Sequence, residues 1–186
     1  MKIGTKSLLF GVHQFLWHPL TVTLAWRELY KSWPSWKEFI CIFIHDWGYW
    51  GCPNMDGAEG ERHPEWAANA ALFYLDNNKN LLKCIRKNYK IYYELCLYHS
   101  RHYARLYNHE PSKLCWADKL CYKYDPVWFY VLRAKLSGEI KEYRALPQSQ
   151  NFEGSDFKWY REQRKLYIKL AYSQKADTIP YQDVKN

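Results

Sequence analysis

An apolar run from Phe39 to Ile44 passes directly into His45-Asp46, after which Gly48 and Gly51 end the element. Polar side chains at the inner end of a buried run cost free energy unless a partner satisfies them. The same pattern recurs elsewhere. His18, Val22, Ala25 and Leu29 share one helix face, Ile85, Tyr89, Tyr92, Cys96 and His99 share another, and Leu114, Asp118 and Cys121 a third. One histidine on an apolar face is ordinarily a hydrogen-bonded core residue. Imidazoles and carboxylates entering one interior from four segments need a dense network or a common ligand. A divalent metal ion supplies the latter, because imidazole nitrogen and carboxylate oxygen both donate to it.

The elements that must position these groups read as helices, since few segments alternate as strands do. The spacing predicts helices over His18–Lys31, Trp36–Asp46, Pro64–Asp76, Leu81–Arg101, Lys113–Asp125, Val127–Leu136 and Asp156–Ser173. Ser35 and Glu38 have capping-box spacing, Pro64 suits a first helical turn, and Ser112 suits an N-cap. The loop GCPNMDGAEGERH must turn, and LPQSQNFEGSD reads as a flexible connection before the last helix. That helix carries a basic face and an aromatic face, the latter expected to pack on the body. Lys175–Asn186 reads as a frayed end. The expected architecture is all-α, with residues 1–146 forming the metal-binding domain and 147–186 a loop, helix and tail packed on it.

A net charge of +8 favours an anionic partner such as a nucleotide, and 19% aromatic residues at helix-core spacing suit a dense interior rather than an exposed stacking platform. A stable nucleic-acid complex is therefore not expected. The six cysteines form no C-x-x-C pair, and Cys41, Cys84, Cys96, Cys115 and Cys121 lie in apolar runs, as buried thiols do in a reducing compartment. No secretory pattern opens the chain and no run reaches the roughly 18 apolar residues of a membrane span; the expectation is a cytoplasmic protein. Other catalytic templates fail: H-E-x-x-H, G-x-S-x-G and the zinc-deaminase signature are absent, and GTKS lacks P-loop spacing.

The ordered set His18, His45-Asp46 and Asp118, in the contexts HPLTVTLA, FIHDWG and ADKL, resembles the HD-domain superfamily of metal-dependent phosphohydrolases over about residues 13 to 136. This resemblance implies an HD-like helical bundle with an additional C-terminal helix, and a first metal held by His18, His45, Asp46 and Asp118. His63 and His99 match positions that hold a second metal in two-metal branches, with Asp46 bridging. In one-metal branches a residue near His63 is a catalytic acid, so that position is either ligand or acid. The GYP element of the cyclic-dinucleotide branch is missing.

Such a site would hydrolyse a phosphate ester of a nucleotide-like small molecule, using one or two ions of manganese, iron, cobalt, nickel or zinc. Asp46 would orient the water, while His102 could protonate the leaving group and Lys119 could grip phosphate. Lys6, His13, Arg101 and Arg105 are further candidates for phosphate contact, with Lys6 and His13 closing over the pocket. Asp56, Glu59 and Glu61 are either extra polar groups of the site or turn residues. Two alternatives remain. One is an HD-type di-iron oxygenase acting on a polyol or phosphonate, in which the last ligand interval tends to be longer than His99 to Asp118 here. The other is a non-catalytic module retaining a structural metal.

Overall fold

The structure, a computed structural model, describes residues 1–76, 90–150 and 152–174. The α-helices run in the order α1 (Ile3–Phe10), α2 (Trp17–Tyr30), α3 (Trp36–Ile44), α4 (Ala58–Glu61), α5 (His63–Ala71), α6 (Ile91–Leu97), α7 (Arg101–Leu106), α8 (Lys113–Leu120), α9 (Val127–Ser137), α10 (Glu139–Ala145), α11 (Pro147–Gln150) and α12 (Asp156–Ser173). There is no strand among the described residues, and the chain is an all-α bundle. No described helix is long and apolar enough to cross a membrane.

Local chemistry starts several of these helices. Ser35 and Glu38 close a reciprocal capping box on α3. Ser112 caps α8 through the Cys115 amide, Ser155 caps α12 through the Lys158 amide, and Pro64 occupies the first turn of α5. The expected stripes face inward: Val22, Ala25, Cys41, Ile42, Cys96, Leu114 and Ala117 are wholly buried in one cluster. Around it α2 packs on α8, and α5 on α6. Cys41, Cys52, Cys96, Cys115 and Cys121 are buried free thiols.

Several expected boundaries are corrected. The helix expected over Leu81–Arg101 is broken at its end; residues 81–89, with Cys84, Ile85 and Tyr89 of the expected pattern, lie outside the described residues. α6 stops at Leu97, Ser100 is extended, and α7 begins at Arg101. The His99 ring takes the Cys96 carbonyl at 2.5 Å, replacing helix continuation as that carbonyl's partner. α8 ends at Leu120 and tightens into a 3₁₀ turn over Cys121–Lys123 instead of running to Asp125. The connection expected to be flexible contains α11, whose buried Ser149 accepts from the Trp159 indole at 3.0 Å. α1 and α10 were not expected. α1 is short and contains Gly4, Thr5 and Ser7, which are weak helix formers; tertiary contacts hold it.

α12 packs on α8 and α9 and buries Trp159, Tyr160, Leu170 and Ala171, the expected body-facing side. Its Arg164 donates to the Tyr122 and Lys123 carbonyls, which the end of α8 leaves open. The expected tail, Lys175–Asn186, lies outside the described residues. Glu28 of α2 fastens this corner, accepting from Lys123 Nζ at 2.6 Å and from the hydroxyls of Tyr124 and Tyr172. Burial raises the Glu28 pKa, but the hydrogen bonds from Lys123, Tyr124 and Tyr172 outweigh it and bring the carboxyl down to about 2. The folded pKa thus lies below the unfolded one, so this contribution to stability is complete above about pH 4.5 and is lost as pH falls toward 2. Glu28→Gln is expected to lower Tm by several degrees at pH 7, with a deficit that shrinks in melts below pH 4; a deficit independent of pH would contradict this assignment.

Candidate metal centre

Three histidines use the same local device. His45 Nδ1 contacts the Ile42 carbonyl at 2.7 Å, His63 Nδ1 the Gly60 carbonyl at 2.6 Å, and His99 Nδ1 the Cys96 carbonyl at 2.5 Å. Each carbonyl lies three residues back on the same turn. A carbonyl only accepts, so each Nδ1 must carry a proton, and in the neutral ring Nε2 presents a lone pair. His18 Nδ1 faces the Cys121 sulfur at 3.8 Å, which leaves its Nε2 turned inward as well.

These Nε2 atoms converge. His18 and His45 stand 3.3 Å apart at Nε2, and His63 and His99 stand 3.0 Å apart. Asp46 lies between the two pairs: its Oδ2 is 3.0 Å from His18 and 3.1 Å from His45, and its Oδ1 is 3.6 Å from His63 and 3.8 Å from His99. Asp118 Oδ1 completes the first group, 3.2 Å from His18 Nε2. The expected ligands are thus brought together as two adjoining sets that share Asp46, each able to hold a metal ion. Cys121 is a further potential donor beside His18 and Asp118.

Lone pairs facing each other and a buried carboxylate repel unless a proton or a metal cation lies among them. Asp46 Oδ2 is buried without a hydrogen bond among the described residues, the kind of orphaned acceptor that a cation satisfies. The ionisation of Asp46, Asp118, His45 and His63 favours the ligating forms, whereas His18 holds a proton that a metal must displace. Burial raises the pKa of Asp46, yet the neighbouring imidazoles of His45, His13 and His18 prevail and hold it well below the usual carboxylate range. Burial likewise opposes ionisation of Asp118, and Lys119 and His18 prevail in the same way. Burial, reinforced by His99, pushes His63 well down, and burial lowers His45 despite Asp46. For His18, burial lowers the pKa, but Cys121, Asp118 and Asp46 raise it well above its ordinary value. These residues fit a divalent cation.

Around the donors stand groups of other kinds. Lys119 donates to Asp118 Oδ2 at 2.7 Å, so this expected phosphate contact is engaged with a ligand carboxylate. His13 lies 5.4 Å from the His18 ring and 5.2 Å from Tyr49, centroid to centroid. Its Nδ1 is 3.2 Å from Glu139 Oε1 and 2.9 Å from Ser7 Oγ. Since Ser7 gives its hydroxyl proton to Glu139 at 2.6 Å, His13 Nδ1 must donate, and its Nε2 is the free nitrogen. His102 sits 3.7 Å from Glu61, part-exposed at the edge of α7. Arg101 opens α7 with a buried Nη1 that has no hydrogen-bond partner among the described residues. Arg105 is exposed, and Lys6 is half-buried on α1. The Asp56 pKa is raised to about 6, by burial first and then by Glu142, and its Oδ2 has no hydrogen-bond partner among the described residues. Glu59 is exposed at the start of α4.

Two groups escaped the sequence reading. Glu139 is fully buried and accepts from Ser7, the Val12 amide at 2.9 Å, His13, Ser137 and Tyr143. An acidic residue after a glycine reads as a solvated helix start, and nothing local reveals partners more than 120 residues away. Tyr49 stacks on the His63 ring at 3.9 Å and 18°. Its closeness to His45-Asp46 was the available signal, masked by the many other aromatic residues.

No family model, no curated protein and no solved structure matches this chain.

A ligand that binds only the folded state at a hundredfold excess over its Kd adds about 2.7 kcal/mol, on the order of 5–10 °C in Tm for a chain of this size. Manganese or zinc is expected to raise the Tm of the wild-type protein by that amount. Asp46→Ala, which removes the shared carboxylate, should retain helicity by circular dichroism and lose the shift. Because the raised His18 must give up its proton to ligate, the shift should also fade as pH drops below neutral; a shift that persisted in acid would point to binding elsewhere.

Proposed function

We propose that this chain is a metal-dependent hydrolase acting on a phosphate ester of a nucleotide-like small molecule. The observation that carries this reading is a carboxylate-oriented imidazole, His13, beside two donor sets sharing Asp46. The geometry is consistent with the resemblance to the HD-domain superfamily. The mixed imidazole and carboxylate donors suit manganese, iron, cobalt, nickel or zinc. When bound, a pair of such ions supplies an activated water and neutralises charge on phosphoryl oxygens.

The chain's own residues provide the remaining requirements. Asp46, held ionised, spans both donor sets and fixes their separation. Lys119 pins the outer oxygen of Asp118, which keeps Oδ1 turned toward His18. Glu139 holds His13 with its Nδ1 proton on the carboxylate side, as a carboxylate orients a catalytic imidazole. The free Nε2, once protonated, can deliver a proton to the departing alkoxide. This assigns proton transfer to His13, leaving His102, beside Glu61 at the rim, to contact the remainder of the substrate. The unpartnered Nη1 of Arg101 can receive an anionic oxygen, and the net charge of +8 favours the approach of an anion.

The test is a phosphate-release screen over nucleotides and phosphorylated metabolites with manganese- or iron-loaded protein, run with and without oxygen. Release that needs no oxygen is expected; oxygen consumption coupled to substrate loss would favour the di-iron oxygenase instead. On the best substrate, His13→Gln should keep its metal and lose roughly 10²–10⁴ in kcat, the range for a general acid. Full activity in that variant would remove His13 from the chemistry.

A further inference from the structure

Tyr49 is held more rigidly than its place in a turn requires. Its carbonyl accepts from the Cys52 amide at 2.9 Å, and its amide donates to the Asp46 carbonyl at 2.9 Å. Two glycines press on this segment. A Cβ on Gly48 would lie 2.1 Å from the His63 carbonyl oxygen, and one on Gly4 would lie 2.2 Å from the Tyr49 carbonyl oxygen. Only residues without a Cβ allow such approaches. The turn is therefore clamped between α1 and α5, and the phenol ring lies flat against His63 at 3.9 Å.

The hydroxyl at the end of this ring has no hydrogen-bond partner among the described residues, although many tyrosine hydroxyls of the bundle do: those of Tyr30, Tyr103, Tyr124, Tyr143 and Tyr172 all donate to a carbonyl or carboxylate. The His13 ring also lies near, tilted by 47° with its centroid 5.2 Å from that of the phenol. Burial first, and then the carboxylates of Asp46, Asp56 and Asp118, hold the phenol well above its ordinary pKa, so that it keeps its proton. Tyr49 is half-buried beside the donor sets, so a hydroxyl with no protein partner there is placed to meet a bound ligand.

We infer that the Tyr49 hydroxyl donates a hydrogen bond to a phosphoryl oxygen of the bound substrate, fixing the phosphoryl group between the donor sets and His13. This rests on the phosphoester reading above. The ring's second contribution is mechanical, since its stack keeps His63 in the orientation set by the Gly60 carbonyl.

Tyr49→Phe separates the two roles, because it keeps the ring and removes only the donor. Manganese-loaded wild-type and variant proteins are compared for metal content per chain and, by calorimetry, for affinity toward inorganic phosphate. Unchanged metal content is expected, with phosphate binding weakened roughly ten- to hundredfold, the size of one hydrogen bond to a charged group. Equal phosphate affinity in the two proteins overturns the assignment. So does loss of metal from the variant, which would make support of His63 the residue's whole contribution. A wild-type protein that holds metal but no phosphate fails one step earlier: it overturns the phosphoester reading and this assignment together.

Discussion

His45, His63 and His99 each commit the Nδ1 proton to a carbonyl of their own helical turn, and the lone pairs of their Nε2 atoms are forced into the same buried volume as Asp46 and Asp118. Alone, that arrangement is an electrostatic conflict: the Nε2 atoms of His63 and His99 face each other at 3.0 Å beside the Asp46 carboxylate, in an interior from which water is largely excluded. A cation converts the conflict into attraction. The surrounding design follows from holding the acceptors in place. Gly48 lets a turn press on the His63 backbone, Lys119 secures the far oxygen of Asp118, and α12 caps the end of the helix that carries Asp118.

The segment leading into α2 is built from both ends of the chain. Arg133 of α9, itself buried, donates to the carbonyls of Gly11 and Val12 at 3.0 Å and pairs with Asp125. Asp125 in turn accepts from the Trp17 indole at 3.1 Å. Glu139 of α10 then takes the Val12 amide and the His13 ring. A fully buried carboxylate is tolerated there only because several donors meet it. Burial raises its pKa, and hydrogen bonds from His13, Ser137 and Ser7 more than offset that. The same contacts that stabilise the N-terminal segment fix the position of the His13 imidazole beside the donor sets, so stability and positioning are one network here.

Most of the donor set was legible in the chain because ligands on helices obey the helical period. His18 shares a face with Val22 and Ala25, and His45 lies one turn beyond Cys41 and Ile42, so burial of the apolar neighbours carries the polar residue inward. Capping at Ser35 and Ser112 was legible for a related reason, since it depends on residues three positions apart. The break after Leu97 was not, because a histidine that captures a carbonyl of its own turn looks, in sequence, like one more residue on a stripe. α1 and α10 also escaped, being short and held by distant partners rather than by propensity.

The chain alone therefore determines an all-helical core and the inward placement of histidines and aspartates, because both follow from periodicity over a few turns. Tertiary structure decides which oxygen of Asp46 serves which pair, that Lys119 belongs to Asp118, that Glu139 reaches His13 from 126 residues away, and that the Tyr49 ring stacks on His63. Those facts depend on how helices dock rather than on how each one forms. No local spacing encodes them, because the atoms involved meet only after the packing of the whole bundle has brought them together.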